Sequence, residues 1–286
     1  MLSKKFILDT DIGTDSDDIG ALAILCNLAR QGKLQIAAVT VCNCQDDCAM
    51  AVDIIANCYN QTFPIGKAKN YGASAQYGTY ARAICSAFPS RLKRGEIDDA
   101  VRVLRKTLAQ NQHVSLITIG PLTNIAALAQ SVADDVSPLS GKELLQRVDE
   151  MYVMGGNFVD GWAEWNVKED VSAAQTALAA MDCPITFVPF EAGANVFTGK
   201  NFLCGKRSPM QVGYFVHNIV PRNSWDPLTV YCATVQCLKT SENGVVRVDD
   251  DGVTTFVQNE NGKHRFVKNT FDVEDIRQKL EDLMVN

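Results

Sequence analysis

The chain has no excess of basic residues. It contains 27 lysines and arginines against 33 aspartates and glutamates, which gives a formal net charge of −6 at pH 7. Nucleic-acid-binding domains carry clustered positive charge that neutralises phosphates, so we expect no nucleic-acid partner. No apolar stretch is long enough to span a bilayer, and the first apolar run, at 6–8, is too short for a signal peptide. These absences predict a cytoplasmic protein without a membrane partner.

Histidine is scarce, and the cysteines form no complete zinc motif. The chain has three histidines and ten cysteines. Cys42, Cys44 and Cys48 are close in sequence, but no second pair follows at the spacing of a zinc site. Ten cysteines without an export signal indicate a reducing compartment and free thiols. A metal or redox role for this cluster stays open as the alternative.

Internal repeats, low-complexity segments and interdomain linkers are also absent. The chain has 286 residues, of which 47% are apolar and 21% are charged. This length and composition suit one globular α/β domain. We therefore predict a single domain over residues 1–286.

Strand and helix patterns alternate along the chain, which is typical of a parallel sheet covered by helices. The predicted strands are 5–8, 36–41, 113–119, 151–154 and 184–189, and 63–66 is either a short strand or a turn. The predicted helices are 18–30, 46–57, 96–109, 121–129, 171–181, 211–220, 227–236 and 273–284. Residues 67–95 show no clear period and are predicted to form a loop or lid, whereas 245–258 alternate like a hairpin.

Five aspartates crowd the turn between the first strand and the first helix, namely Asp9, Asp11, Asp15, Asp17 and Asp18. Like charges this close repel, so they remain ionised together only with a positive partner. A hard divalent cation, which prefers oxygen ligands, meets this need. The turn lacks the glycine and acid spacing of an EF-hand. Paired aspartates also occur in phosphotransferases that form an aspartyl-phosphate.

Polar turns follow four of the predicted strands, at 9–18, 120–124, 155–157 and 190–191. In an open α/β sheet, ligands bind in the crevice at the carboxyl ends of the strands. We therefore expect these four turns to converge on one pocket.

Together these motifs resemble the inosine-uridine-preferring nucleoside hydrolases. The similarity runs in family order from residue 6 to about residue 232, and its last motif is similar to that of a divergent subgroup. The motifs are Asp9-x-Asp11-x-Gly13, Asp17-Asp18, Gly120-Pro121-Leu122-Thr123-Asn124, Met154-Gly155-Gly156-Asn157, Glu164-Trp165-Asn166, Phe190-Glu191-Ala192-Gly193 and Ser224-Trp225-Asp226-Pro227.

The resemblance implies an open, mostly parallel sheet flanked by helices, with a small C-terminal β-hairpin and helix. It also implies a Ca²⁺ ion whose ligands are Asp11, Asp18, the carbonyl of Ile119 and Asp226, with Asp9 beside the ion. Two extra residues follow Gly13, so the acidic pair aligns with Asp17 and Asp18, and Asp15 falls in the insertion. An exchange of roles between Asp15 and Asp17 stays open.

By the same resemblance, a set of polar residues would bind the ribose hydroxyls, and Asp11 would be the general base. The ribose-binding set is Asp17, Asn157, Glu164, Asn166 and Asp226. Glu164 and Asn166 both point into the pocket if their segment is extended. Glu191 either reaches the substrate or pairs with a lysine or arginine.

The chain departs from the family pattern at Trp225. The best-known members have a histidine there that protonates the leaving base, whereas an indole offers only an N–H donor. Three ways of activating the leaving base remain open. The base stacks on Trp225 or Trp162, another acid protonates it, or the substrate has a base that leaves with less activation. The three histidines lie outside the matched motifs and are expected to be structural or on the surface.

These inferences predict a nucleoside N-ribohydrolase for a small-molecule nucleoside, of use in ribonucleoside catabolism and purine or pyrimidine salvage. The resemblance implies a homodimer or homotetramer. One alternative is an aspartate-nucleophile phosphohydrolase that uses Mg²⁺. The other is a non-catalytic protein that binds ribose or a nucleoside.

Overall fold

A ten-stranded sheet runs through the protein. The computed structural model describes residues 3–13, 15–69, 79–203, 206–216, 220–236 and 238–285. In chain order the strands are β1 (Lys5–Thr10), β2 (Gln35–Val41), β3 (Ile65–Lys67), β4 (Asp98–Asp99), β5 (Val114–Thr118), β6 (Val148–Met154), β7 (Ile185–Val188), β8 (Phe197–Thr198), β9 (Arg222–Asn223), β10 (Gly244–Val248), β11 (Thr254–Gln258) and β12 (His264–Phe266).

The sheet is mostly parallel, with an antiparallel hairpin at one edge. Its strand order is β11-β10-β12-β7-β6-β5-β1-β2-β3-β4. All pairs from β12 to β4 are parallel, and β10 is antiparallel to both β11 and β12. Strands β8 and β9 form a separate antiparallel pair. This arrangement confirms the predicted open α/β sheet and the C-terminal hairpin.

Helices cover both faces of the sheet. They are α1 (Asp17–Arg30), α2 (Asp46–Cys58), α3 (Thr79–Ala87), α4 (Ala100–Gln110), α5 (Thr123–Gln130), α6 (Gly141–Leu145), α7 (Trp165–Glu169), α8 (Val171–Ala180), α9 (Phe190–Gly193), α10 (Pro209–Val216), α11 (Trp225–Thr234) and α12 (Val273–Val285), with a 3₁₀ helix at Lys200–Leu203.

Two apolar cores lie on the two faces because side chains alternate along each strand. Phe6 and Leu8 of β1 enter the core shared with α1, α2, α11 and α12, whereas Ile7 between them enters the core shared with α4, α5 and α8. Helix α1 is buried along nearly its whole length. It therefore has no polar face and holds the turn before it rigidly against the sheet.

Several elements differ from the sequence prediction. The predicted loop at 67–95 contains helix α3, whose Tyr80, Ala81 and Ile84 enter the first core. Residues 70–78 of that predicted loop lie outside the described residues. The helix predicted at 96–109 begins only at Ala100, because Asp98 and Asp99 pair with β3 and the Asp99 side chain accepts a hydrogen bond from the Arg102 N–H. The prediction also lacks the short strands β4, β8, β9 and β12 and the short helices α6, α7 and α9.

The structure also bears on the expectations from composition. In the described segments, no helix combines the length and the apolar character that crossing a bilayer requires. The eight cysteines that the structure describes are all free thiols. The residue cluster suited to a metal among the described residues consists of aspartates and contains no cysteine.

Arg105 of α4 holds together the segment that leads to α6. Its side chain is 1% exposed, and its guanidinium donates to both carboxylate oxygens of Asp134 at 3.0 and 2.9 Å. Further hydrogen bonds reach the Ser131 hydroxyl and the carbonyls of Ser137 and Leu139. A buried cation is tolerated here because acceptors surround it.

We expect Arg105→Met to lower the free energy of unfolding by on the order of 2–3 kcal/mol, because it leaves buried carbonyls without donors. Arg102→Met is the matched control on the same helix. Arg102 also binds an aspartate, Asp135, through Nη1 and Nη2, but its side chain is 51% exposed. Exposed ion pairs contribute little to the free energy of unfolding. Urea unfolding of the two variants checks the difference; equal losses would contradict it.

Candidate active site

The strands before the four predicted polar turns end side by side, but only the turns at 9–18 and 190–191 supply residues to the cavity there. Strands β7, β6, β5 and β1 are adjacent and parallel, so their carboxyl ends point the same way. A cavity of about 320 Å³ opens at this edge, within the range of small-molecule sites. Its lining residues are Asp11, Asp15, Asp17, Asp18, Ile119, Met154, Glu164, Trp165, Asn166, Phe190, Arg222, Trp225 and Asp226.

Three buried aspartates form the floor of this cavity. Carboxylate oxygens of Asp17, Asp18 and Asp226 lie within 4.8 Å of one another. The backbone N–H of Asp226 donates to Asp17 at 3.1 Å, across 209 residues of sequence. Thr10 donates its hydroxyl to one oxygen of Asp18, and the other oxygen of Asp18 is buried without a partner among the described residues.

Burial and mutual repulsion raise the pKa of all three floor aspartates well above the ordinary value. Three such groups cannot all carry charge side by side without a counter-charge. The donor set is entirely oxygen, and one of its oxygens is unpartnered. These residues therefore fit a hard divalent cation.

Asp9 supports the floor from behind and does not line the cavity. Its carboxylate accepts hydrogen bonds from the Asn124 amide at 2.7 Å and from the Thr40 hydroxyl. Burial raises the pKa of Asp9 to about 7. Asn124 belongs to the Gly-Pro-Leu-Thr-Asn motif, so this bond ties that motif to the acidic turn.

Asp11 lines the cavity beside the end of β5. A side chain at Gly120 would place its Cβ 2.8 Å from the backbone nitrogen of Asp11 and 2.9 Å from its Oδ1. Such contacts are too short for any residue with a side chain, so the glycine of this motif allows Asp11 to reach its position. Ile119, immediately before that glycine, also lines the cavity.

Tyr80 of α3 braces the acidic turn from the side. Its hydroxyl accepts a hydrogen bond from the Gly13 N–H and donates to the Asp15 carbonyl at 2.8 Å. The helix absent from the sequence prediction therefore contacts the site directly.

The segment of Glu164 and Asn166 is not extended, which corrects the expectation for it. Glu164 caps α7, and its carboxylate accepts backbone N–H groups of Gly156, Asn166 and Val167 at 3.0–3.3 Å. Burial raises the pKa of Glu164 to about 7. The Asn166 amide donates to the Met154 carbonyl at 3.3 Å. Both residues nevertheless line the cavity, because the cap brings the start of α7 to its wall.

Asn157 and Glu191 do not line the cavity. The side-chain oxygen Oδ1 of Asn157 accepts backbone N–H groups at 2.9 and 3.0 Å within its own turn, and its Nδ2 is buried without a partner among the described residues. Glu191 accepts the Phe158 N–H at 3.1 Å. In the described segments Glu191 has neither a lysine nor an arginine partner, so its expected ion pair is not observed.

Trp225 forms part of an aromatic wall. Its indole N–H donates to the Phe190 carbonyl at 2.9 Å, and its ring stacks on the Phe190 ring at 5.3 Å. A Cβ at Gly193 would lie 2.5 Å from the indole Cδ1, so glycine is needed for the indole to pack here. Trp162 contacts Phe190 edge-on at 4.7 Å but does not line the cavity.

Arg222 is a cavity residue that the sequence motifs did not indicate. Its Nε donates to the two carboxylate oxygens of Asp15 at 2.8 and 3.0 Å, and its Nη2 also donates to Asp15. Its guanidinium carbon lies 5.1 Å from the centre of the Trp225 ring. The only available signal was its position three residues before Trp225. Asp15, placed in the insertion, thus pairs with Arg222.

Two of the histidines lie away from the cavity, as expected. His113 is exposed and contacts Asp149 at 3.0 Å. His264 of β12 accepts the Val246 N–H at 3.0 Å. The expectation for His217 concerns a residue outside the described part of the chain.

Comparison with known proteins agrees with this fold. The chain shares its fold with an inosine-guanosine nucleoside hydrolase, with a TM-score of 0.74 and 18% identity over 99% of both chains. It also shares the fold with the type III effector protein XopQ, solved with adenosine diphosphate ribose, with a TM-score of 0.73 and 16% identity over 99% of this chain and 93% of the other. No curated protein matches the chain.

A family model described as inosine-uridine preferring nucleoside hydrolase matches residues 6–278. That match takes in the whole site, from Asp11 in the first turn to Asp226 in α11. The chain therefore belongs to the inosine-uridine preferring nucleoside hydrolase family.

Proposed function

We propose that this protein hydrolyses the N-glycosidic bond of a ribonucleoside or a related N-riboside to free base and ribose. The observation that carries the proposal is the buried cluster of Asp17, Asp18 and Asp226 on the floor of a cavity whose wall is aromatic. Acidic groups suit sugar hydroxyls and a developing positive charge, and aromatic rings suit a planar base.

Two acids of the floor cluster, Asp18 and Asp226, would hold Ca²⁺ together with Asp11 and the carbonyl of Ile119, and the third floor acid, Asp17, would face the ribose. All four proposed ligands line the cavity, and the oxygen-only donor set matches the preference of this ion. When bound, Ca²⁺ supplies polarisation and orientation of a water molecule. It also supplies the counter-charge that the floor aspartates lack.

Asp11 acts as the general base. Its carboxylate lies at the cavity wall beside the floor, where it can accept the proton of the attacking water. The water oxygen forms a bond to the anomeric carbon as the bond from that carbon to the base nitrogen breaks, and the electron pair of that bond leaves with the base. The anomeric centre is oxocarbenium-like in the transition state, so the surrounding carboxylates stabilise it.

The ribose hydroxyls bind to the polar groups next to the floor, which are Asp17, Glu164, Asn166 and Asp226. Glu164 and Asn166 are held by the N-terminus of α7, so they are rigid before the substrate arrives. The unpartnered Nδ2 of Asn157 supports a contact from the turn behind them. Such a contact requires the 156–158 turn to move toward the ligand.

The two alternatives have less support. A phosphohydrolase needs cationic side chains around its phosphate. The cavity lining contains six carboxylates and a single arginine, which already pairs with Asp15. The same imbalance disfavours a diphosphate ligand such as the one in the XopQ structure. A non-catalytic binding protein would not need Asp11 next to the floor, but turnover has to be measured to exclude it.

A role in nucleoside catabolism or salvage follows if the activity is established. Assembly into a homodimer or homotetramer stays a prediction from the family.

The proposed activity is tested with a nucleoside panel assayed for free ribose. We expect ribose release from at least one purine or pyrimidine nucleoside and its loss in a calcium chelator. p-Nitrophenyl phosphate should be inert, since the lining sets six carboxylates against one arginine, whose charge Asp15 offsets. Tight nucleoside binding without ribose release would favour the non-catalytic alternative, and phosphate release would favour the phosphohydrolase.

Asp11→Asn should lower kcat by roughly 10²–10⁴-fold, because the amide cannot accept the proton of water. The fold should persist, so the melting temperature serves as a check. Asp182→Asn is the matched control, since Asp182 is an exposed aspartate paired with Lys263 at the opposite end of β7. Near-normal turnover in Asp11→Asn would refute the assigned role.

Calcium should stabilise the fold most at neutral pH. Without the ion, the folded protein keeps protons on the acids whose pKa is raised. In the unfolded chain the same acids have their ordinary pKa and release those protons at lower pH. The free energy of unfolding in chelator should therefore fall as the pH rises from 3.8 through about 7. Calcium should remove most of this fall, which thermal unfolding across pH would show.

Asp18→Asn is the informative variant for this measurement. It should weaken the pH dependence of the free energy of unfolding in chelator, and it should reduce the stabilisation by calcium. Asp182→Asn should change neither quantity. Melting temperatures that are identical in calcium and in chelator at pH 7 would argue against a metal at the floor.

A further inference from the structure

We propose that Arg222 is a catalytic residue that donates hydrogen bonds to the leaving base, and that it selects bases with two adjacent acceptors, as on the N7 and O6 edge of a 6-oxopurine. The proposal rests on the proposed hydrolysis of N-ribosides and deepens it. The juxtaposition that carries it is a guanidinium fixed by Asp15 against the aromatic wall.

The depth of the charged groups places the base near Arg222. The floor acids Asp17, Asp18 and Asp226 are almost completely buried. By contrast, the side chains of Arg222 and Asp15 are 20% and 30% exposed and line the outer part of the same cavity. A ribose bound by the floor therefore directs its base outward, toward Arg222 and the ring of Trp225.

Arg222 is held in place and still has donors to offer. Its Nε and Nη2 bind Asp15, whereas Nη1 has no acceptor among the described residues. The guanidinium also lies over the Trp225 ring, which is fixed in turn by its bond to the Phe190 carbonyl. A planar donor group that is already oriented loses little entropy when it binds a base.

The remaining N–H groups suit a particular chemical pattern. Arginine donates a pair of hydrogen bonds to adjacent N7 and O6 acceptors, which inosine and guanosine present. Adenosine presents an acceptor and a donor on this edge, so one N–H of Arg222 would face another donor. A base with two adjacent acceptors is therefore favoured over a base with an acceptor beside a donor.

The chemistry gives these hydrogen bonds a catalytic effect. As the bond between the anomeric carbon and N9 breaks, its electron pair moves into the purine ring and negative charge grows at N7 and O6. Hydrogen bonds from a fixed cation stabilise that charge. Arg222 keeps its own proton, because a guanidinium stays protonated in proteins, and the base takes its proton from solvent.

The role of Asp15 follows from this arrangement. Asp15 does not touch the substrate in this scheme, and it acts as a positioning residue that orients the guanidinium. It also cancels most of the positive charge, so the site has little attraction for anionic substrates.

The test compares substrates that differ in how much help the leaving group needs. Inosine needs stabilisation of its base, 7-deazainosine lacks the N7 acceptor, and p-nitrophenyl riboside has a good leaving group. Arg222→Met keeps the length of the side chain but removes all donors, and Arg222→Lys keeps the charge but loses the planar pair of donors. Arg207→Met is the control at an exposed arginine away from the cavity.

We expect Arg222→Met to lower kcat on inosine by about 100-fold, the usual effect of removing one fixed donor to a developing charge. The same variant should lower kcat on p-nitrophenyl riboside far less. On 7-deazainosine its kcat should be only a little below that of the wild-type protein. Arg222→Lys should show the same pattern with a smaller loss, and Arg207→Met should behave as wild type.

Three results of these kinetic comparisons would overturn the proposal. They are an unchanged kcat on inosine in Arg222→Met, equal losses on inosine and p-nitrophenyl riboside, and equal rates of the wild-type protein on inosine and 7-deazainosine. The last comparison needs no variant to fold. A wild-type protein that cleaves other N-ribosides but none of the 6-oxopurines would overturn this inference alone. A wild-type protein that cleaves no N-riboside would overturn the proposed function with it.

Discussion

Repulsion between buried carboxylates is the constraint on which this site depends. Asp17, Asp18 and Asp226 are held within 4.8 Å of one another in a setting that penalises their charge. Isolated like charges would separate or take up protons. Here the buried helix α1, helix α11 and the parallel strands keep them together. The fold therefore holds three carboxylates in positions where they can be ionised together only beside a positive charge.

Residues of the neighbouring motifs hold that cluster and the cavity wall in position. Gly120 leaves room for Asp11, Asn124 binds Asp9 behind the floor, and the Glu164 cap fixes the start of α7 at the wall. Each support comes from the end of a different strand or from the loop after it. A rigid sheet edge therefore positions groups that loops alone would hold loosely.

Much of this arrangement could be predicted from the sequence because its signals are local. The alternation of apolar runs indicated the parallel sheet, and the density of aspartates indicated the acidic turn that supplies two of the floor residues. The Arg222 pairing with Asp15 gave no such signal, since it joins residues 207 positions apart. Helix α3 was missed because glycines precede it in a segment without a clear period, and the bend at Glu164 was missed because an i, i+2 spacing does not distinguish a strand from a helix cap.

The hydrogen bond between the Asp226 N–H and Asp17 has a consequence for how the protein is made. The two residues are 209 positions apart, and Asp18 lies beside the first of them. A ribosome must therefore release the whole segment between them before the third acid can join the other two. A shorter nascent polypeptide holds only two of the three acids, so the floor is completed late relative to helix α1.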